Sequence, residues 1–230
     1  MKSEHAFETH ELRFVATRSS GEVSAILMTP ANPKSLLVLG HGAGAGMRHR
    51  FMETLAQQLA ANGVATFRYQ FPYMERDKRA PDPQPILLKT VRSAVRVAGE
   101  SSKHLPLFVG GKSLGGRMTS MTAATEPLPE TRGIVFFGFP LHAPGKPSNE
   151  RAAHLAQVKL PMLFLQGTRD HLCNLDLLRP ICENLGQAAT LHVIAGADHG
   201  FHVLKSSGRT GEDVLIELAQ TSTRWFLQQK

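Results

Sequence analysis

Cysteine is scarce in this chain: Cys173 and Cys182 are the only two thiols in 230 residues. One such pair offers neither a disulfide framework nor zinc-finger spacing, so both read as packing thiols of a chain kept in a reducing compartment. Long apolar runs are missing too. No stretch approaches the ~20 residues that a membrane helix needs. The opening Met-Lys-Ser-Glu-His-Ala-Phe-Glu has no apolar core of a secretory signal. The expectation is a cytoplasmic protein with no membrane partner. Internal repeats, low-complexity tracts and Pro/Gly/Ser-rich linkers are also absent, so residues 1–230 are expected to form a single domain with a continuous core.

Cations exceed anions by a formal +7. They are scattered, with small groups at Arg48, His49 and Arg50 and at Arg76, Lys78 and Arg79. No zinc spacing, aromatic RNP-like run or basic helix accompanies them, which argues against a nucleic-acid partner. Arg48, Arg50, Arg76 and Arg79 are read as a solvated basic surface, with contact to an anionic substrate as the alternative.

What the chain does contain is a regular alternation of elements. Glu11–Thr17 and Val23–Thr29 alternate apolar and polar residues around Arg18-Ser-Ser-Gly21, the pattern of an antiparallel hairpin. Near-continuous apolar strands follow at 36–39, 64–69, 105–109, 133–137, 161–166 and 190–194. Helical segments lie near 48–62, 86–100, 117–125, 174–185 and 211–228. Strands with no polar face are buried on both sides, so the expected fold class is α/β: a mostly parallel sheet between two layers of helices, with the hairpin at its N-terminal edge.

Gly111-Lys112-Ser113-Leu114-Gly115 sits between an apolar strand and a helix. A serine on a sharp strand-to-helix turn crowds the backbone two residues to either side, and glycine relieves that crowding. A phosphate-binding loop ending in the same Gly-Lys-Ser needs glycine five residues before Gly111, where the chain has Pro106. A nucleophilic serine requires a base, and the base requires an orienting group. Loops after the carboxyl ends of parallel strands are where these belong. Asp170 follows the strand at 161–166 and His199 the strand at 190–194, in chain order Ser, Asp, His. Asp198 is the rival acid, but neighbouring side chains on a loop usually diverge, which favours Asp170. Residues 138–146 hold no carboxylate. The oxyanion donors expected are the backbone N–H of Leu114, at a helix start, and that of Ala43 in His41-Gly-Ala-Gly-Ala-Gly46, with Gly44 next. Phe71, Tyr73, Phe139 and Leu141 are candidates for an acyl or alcohol pocket, with plain loop packing as the alternative.

Two cofactor readings fall away. His199 and His202 lack a carboxylate or cysteine at helical ligand spacing, so no metal is expected. Gly40-x-Gly42-x-x-Ala45 is a permitted dinucleotide fingerprint, but the next strand ends in Arg68-Tyr69-Gln70, with no acid for the ribose of NAD.

From about residue 23 onward the chain resembles the α/β-hydrolase superfamily, in particular its small, nearly cap-less branch related to dienelactone hydrolases. His41-Gly-Ala-Gly44, Gly111-Lys-Ser-Leu-Gly115, Gly167-Thr-Arg-Asp170 and Asp198-His-Gly200 carry the resemblance together. It implies an eight-stranded, mostly parallel sheet, serine-dependent hydrolysis without a cofactor, and a structural role for His41 in anchoring the oxyanion loop. Dienelactone hydrolases proper use cysteine where this chain has Ser113, which sets the lactone substrate aside. Larger caps of the superfamily are inserted where this chain has only residues 138–160, so an open site for a modest ester or thioester is expected. The competing expectation is a non-catalytic binding or scaffold module on the same fold.

Overall fold

The alternation in the first strands decides which side chains turn inward. In β1 (Phe7–Thr17) and β2 (Gly21–Pro30), Phe14, Ala16, Val23 and Ala25 are buried, while Glu11, Arg13 and Glu22 face water. A computed structural model describes residues 7–229. β1 and β2 pair antiparallel with Phe14 opposite Val23, and β2 pairs antiparallel with β4 (Val64–Tyr69). The other strands are β3 (Ser35–Gly40), β5 (Leu107–Lys112), β6 (Thr131–Phe137), β7 (Met162–Gly167) and β8 (Ala189–Ile194). All run parallel to one another and to β4, giving one eight-stranded sheet in the order β1-β2-β4-β3-β5-β6-β7-β8.

The helices are α1 (Arg50–Ala61), α2 (Pro72–Glu75), α3 (Gln84–Ser101), α4 (Leu114–Thr125), α5 (Leu175–Leu185) and α6 (Gly211–Gln228). Period-two alternation divides the apolar strands between two cores. Leu36, Val38, Val109, Ile134, Phe136 and Phe164 pack under α3, α4 and α5. Leu37, Leu39, Phe108, Val135, Phe137, Leu163 and Leu165 pack on the opposite face under α1 and α6. Each such side chain contributes about 1.5–3 kcal/mol by leaving water, so the three-layer arrangement follows from strands that are apolar on both faces. Among the described residues no helix is long and apolar enough to cross a membrane.

Around the elbow two elements differ from the sequence expectation. The strand expected at 105–109 instead runs Leu107–Lys112, through two glycines, and the helix expected from 117 begins at Leu114. Glycine is a poor strand and helix former, yet here it is required. A Cβ on Gly115 would overlap the backbone of Gly40 where α4 crosses β3. The connections from β4 to α3 and from β6 to β7 also hold short ordered elements: α2 in the first and the 3₁₀ helix Glu150–Gln157 in the second.

That crossing is testable. Gly115→Ala is expected to cost more than about 4 kcal/mol or to prevent folding, because the obstacle is backbone, whereas Gly44 has nothing within 4 Å of the same added atom. Chemical denaturation of Gly115→Ala beside Gly44→Ala checks it; equal midpoints would contradict the close approach.

Candidate active site

Ser113 stands between β5 and α4 with φ 50° and ψ −112°. That region is unfavourable for a residue with a Cβ, by about 1–3 kcal/mol. Hydrogen bonds on both sides hold it there: Ser113 N–H donates to the Phe137 carbonyl (3.2 Å) and Arg117 N–H donates to the Ser113 carbonyl (3.1 Å). Gly111 is needed for the same turn, since a Cβ there would lie 2.5 Å from the Gly40 carbonyl oxygen.

β7 and β8 end beside this turn, and their loops bring in the other two groups. Ser113 Oγ lies 2.9 Å from His199 Nε2, and His199 Nδ1 lies 2.7 Å from Asp170 Oδ2. An ionised carboxylate only accepts, so Nδ1 carries the proton and Nε2 offers its lone pair to the serine hydroxyl. Asp170 is 7% exposed and satisfied on both oxygens: Gln166 Nε2 donates to Oδ2 (2.6 Å) and Leu172 N–H to Oδ1 (2.8 Å). Asp198 faces its own loop instead, accepting from the His202 N–H at 2.8 Å.

The loop after β3 approaches from the other side. A Cβ built on Gly42 would be 3.8 Å from Ser113 Cβ, in ordinary contact. His41, wholly buried, donates from Nδ1 to the Gly42 carbonyl (2.8 Å) and accepts the Phe71 N–H at Nε2 (3.0 Å). Burial holds its imidazole down at about 4, so it is neutral. Tyr73 O–H donates to the Ala43 carbonyl at 2.8 Å. Ala43 itself is exposed, and the Leu114 N–H belongs to the first turn of α4, where no intrahelical acceptor exists. The loop that carries Ala43 is thus held against the turn that carries Ser113.

The apolar candidates belong elsewhere. Phe71, Tyr73, Phe139 and Leu141 are each at most 1% exposed and leave no surface for a substrate to touch. Phe71 stacks on Tyr73 (6.3 Å), and Phe139 meets Phe136 edge-on at 5.2 Å. The expected pocket wall is therefore corrected to buried packing, with Phe71 against His41 and the Phe139 N–H bonded to Gln166. A loop phenylalanine has no periodicity to tell inside from rim. Arg48, Arg50, Arg76 and Arg79 are all exposed to water, with Arg48 paired to Glu11 (2.7 Å) and Arg76 to Asp82 (2.6 Å). Both cysteines are buried; burial pushes the Cys182 thiol up to about 11 and Cys173 further, so neither is a thiolate at neutral pH.

Two residues at the site escaped sequence reasoning. Gln166 joins the Phe139 N–H (2.9 Å) to Asp170, and its one signal was a polar amide at the end of an apolar strand. Lys112, inside the elbow motif, donates from Nζ to the His199 carbonyl at 2.6 Å. The ammonium also lies 5.9 Å and 5.4 Å from the rings of Phe51 and Phe201, which stack on each other. Burial lowers Lys112 from 10.5 to about 8, against the pull of Asp170 and Asp198. Between those values the unfolded chain keeps a proton that the folded chain has released, so the folded state gains stability as pH rises through the window. Lys112→Met removes this term. The wild-type denaturation midpoint should therefore rise relative to that of the variant between pH 8 and 10.5; a constant difference would refute the assignment.

Ser113 is half-buried on an open surface. Two surface depressions lie away from it, one around Lys34, Pro106, Arg132 and Phe226 and one between Thr17 and Lys89. Neither depression includes Ser113, Asp170 or His199, so the hydrogen-bonded groups locate the centre.

Comparison with known proteins bears on this geometry. A family model described as an alpha/beta hydrolase domain matches residues 33–227. A dienelactone hydrolase from Anabaena variabilis superposes with a TM-score of 0.74 at 20% identity, covering 96% of this chain and 98% of that one. An α/β serine hydrolase homologue from Coxiella burnetii gives 0.73 at 18% identity, over 94% and 96%. An α/β serine hydrolase without a lid from Xanthomonas campestris gives 0.72 at 18% identity, over 95% of each chain.

Proposed function

The chain belongs to the alpha/beta hydrolase family, and from that premise we propose that it is a serine hydrolase cleaving a small ester or thioester through an acyl-enzyme on Ser113. His199 Nε2 takes the Ser113 proton as Oγ attacks the carbonyl carbon, then returns it to the departing alcohol or thiol. Asp170 keeps the proton on Nδ1 and stabilises the imidazolium that forms. The Leu114 and Ala43 N–H groups receive the oxyanion; each such donor is worth about 2.7–4 kcal/mol of barrier. Water, activated by the same histidine, releases the acid. No step calls for a cofactor.

The observation that carries this reading is the unbroken relay from Ser113 Oγ through His199 to Asp170, at 2.9 Å and 2.7 Å. Fold relatives named as dienelactone hydrolase and serine hydrolase support the ester class. We take residues 1–230 as one catalytic domain. The two unbridged, buried thiols fit a reducing compartment such as the cytoplasm. The test is a fluorophosphonate probe on the folded protein. Labelling confined to Ser113 supports turnover, and none at all would favour a binding module on the same fold.

A further inference from the structure

The triad and oxyanion loop leave unused an arginine pair beside them. Arg117 lies one turn after Ser113 on α4, with its N–H bonded to the Ser113 carbonyl. The neighbouring element is the 3₁₀ helix Glu150–Gln157, joined to α4 by a hydrogen bond of 2.7 Å between Ser120 Oγ and His154 Nε2. Ser120 O–H donates to the Arg117 carbonyl, so its oxygen accepts the His154 proton. Arg117 precedes Ser120 by three residues, and Arg151 precedes His154 by three. Residues three apart share a face in either helix type, so Arg117 and Arg151 lie on the two faces that meet at this contact. Burial and the charge of Arg151 together hold Arg117 below its ordinary range.

The seam is tied to the catalytic centre. Arg151 Nη1 donates to the His142 carbonyl (3.1 Å) and reaches that of Pro140 (3.5 Å). Phe139, in the same loop, is bonded through Gln166 to Asp170. Six other arginines, Arg13, Arg48, Arg76, Arg92, Arg96 and Arg209, have a carboxylate within 4 Å; among the described residues Arg117 and Arg151 do not, and of the eight further arginines without one, seven are exposed to water while the buried Arg68 donates to the Met47 carbonyl. Arg117 Nε is fully buried without a partner. His154, held at about 4 by burial and by Arg117, is neutral and adds no third positive charge. Two half-buried cations on one seam, with no carboxylate within 4 Å of either, make that seam electropositive and suited to an anionic oxygen group.

We propose that Arg117 and Arg151 form a subsite for a negatively charged oxygen group, carboxylate or phosphate in type, on the acyl part of the substrate. The side follows from the faces of the sheet. The His199 loop packs through Ala197 and Phe201 on the α1 and α6 face, and the leaving group must lie near His199 to receive its proton. The 3₁₀ helix packs through Ala152 and Leu155 on the opposite face, with α4, where the acyl chain then extends. This inference rests on the serine-hydrolase reading above.

The test compares mono-(4-nitrophenyl) glutarate with 4-nitrophenyl pentanoate, which match in chain length and differ in the terminal carboxylate. Wild type should favour the glutarate ester at least tenfold in kcat/KM, and 0.5 M salt should shrink that preference. Arg117→Met and Arg151→Met should each bring the ratio of the two esters toward one, with Arg117→Lys retaining part of it. Inhibition of pentanoate hydrolysis by free glutarate against inorganic phosphate distinguishes the two kinds of anion. Pentanoate turnover by wild type with no preference for the glutarate ester overturns the subsite and leaves the hydrolase reading standing. Turnover of neither ester, with no fluorophosphonate labelling, overturns both.

Discussion

Ser113→Ala should lower kcat on a p-nitrophenyl ester by about 10⁵–10⁶-fold and abolish fluorophosphonate labelling. The magnitude follows from the nucleophile and its base acting as a unit. Without Oγ no acyl-enzyme forms, and what persists is the weaker rate supported by binding and the oxyanion donors. Substrate affinity should change little, because those donors belong to the backbone. Ser113→Gly supplies a second readout. With φ at 50° and ψ at −112° the backbone is strained for any residue carrying a Cβ, and glycine adopts it freely. The glycine variant should be as inactive as alanine yet more stable by about 1–3 kcal/mol, measured by urea denaturation. An alanine variant retaining a tenth of wild-type activity would remove Ser113 from the chemistry.

The second large effect separates two aspartates. Asp170→Asn should reduce kcat by about 10⁴-fold, while Asp198→Asn stays within tenfold of wild type. The carboxylate of Asp170 receives three donors: His199 Nδ1, Gln166 Nε2 and the Leu172 N–H. An asparagine must turn its own NH₂ toward at least one of them. If that one is His199, the imidazole proton moves to Nε2 and the serine loses its base. At the Oδ2 position the NH₂ meets His199 and Gln166 together; at the Oδ1 position it leaves the Leu172 N–H unmet, costing about 1–3 kcal/mol of stability. Asp198 accepts only from its own loop, at the His202 N–H, so its neutralisation reaches the serine weakly. The reverse ranking in steady-state kinetics would exchange the roles of the two acids.

These contrasts show where residue order was informative. Gly111 and Gly115 were legible as requirements of the elbow because the crowding they relieve is local, two residues from Ser113. Strand ends were legible from apolar runs, which brought Asp170 and His199 to neighbouring loops before any distance was known. The same runs could not say that Leu107 continues as strand through Gly110 and Gly111, since that extension depends on how closely β3 and β6 approach. Phe71, Tyr73, Phe139 and Leu141 were read as candidates for the rim and are buried packing. Lys112 passed as an unremarked letter in the motif, and its bond to the His199 carbonyl joins residues 87 apart in the chain.

Local chemistry thus accounts for the strands, the elbow and the Ser–Asp–His order, because backbone sterics and apolar periodicity act over a few neighbouring residues. Long-range packing settled which carboxylate meets the imidazole, which aromatics are hidden, and which cations lack a counter-ion. Those outcomes turn on side-chain direction and burial, quantities set by segments that meet in space while standing far apart along the chain.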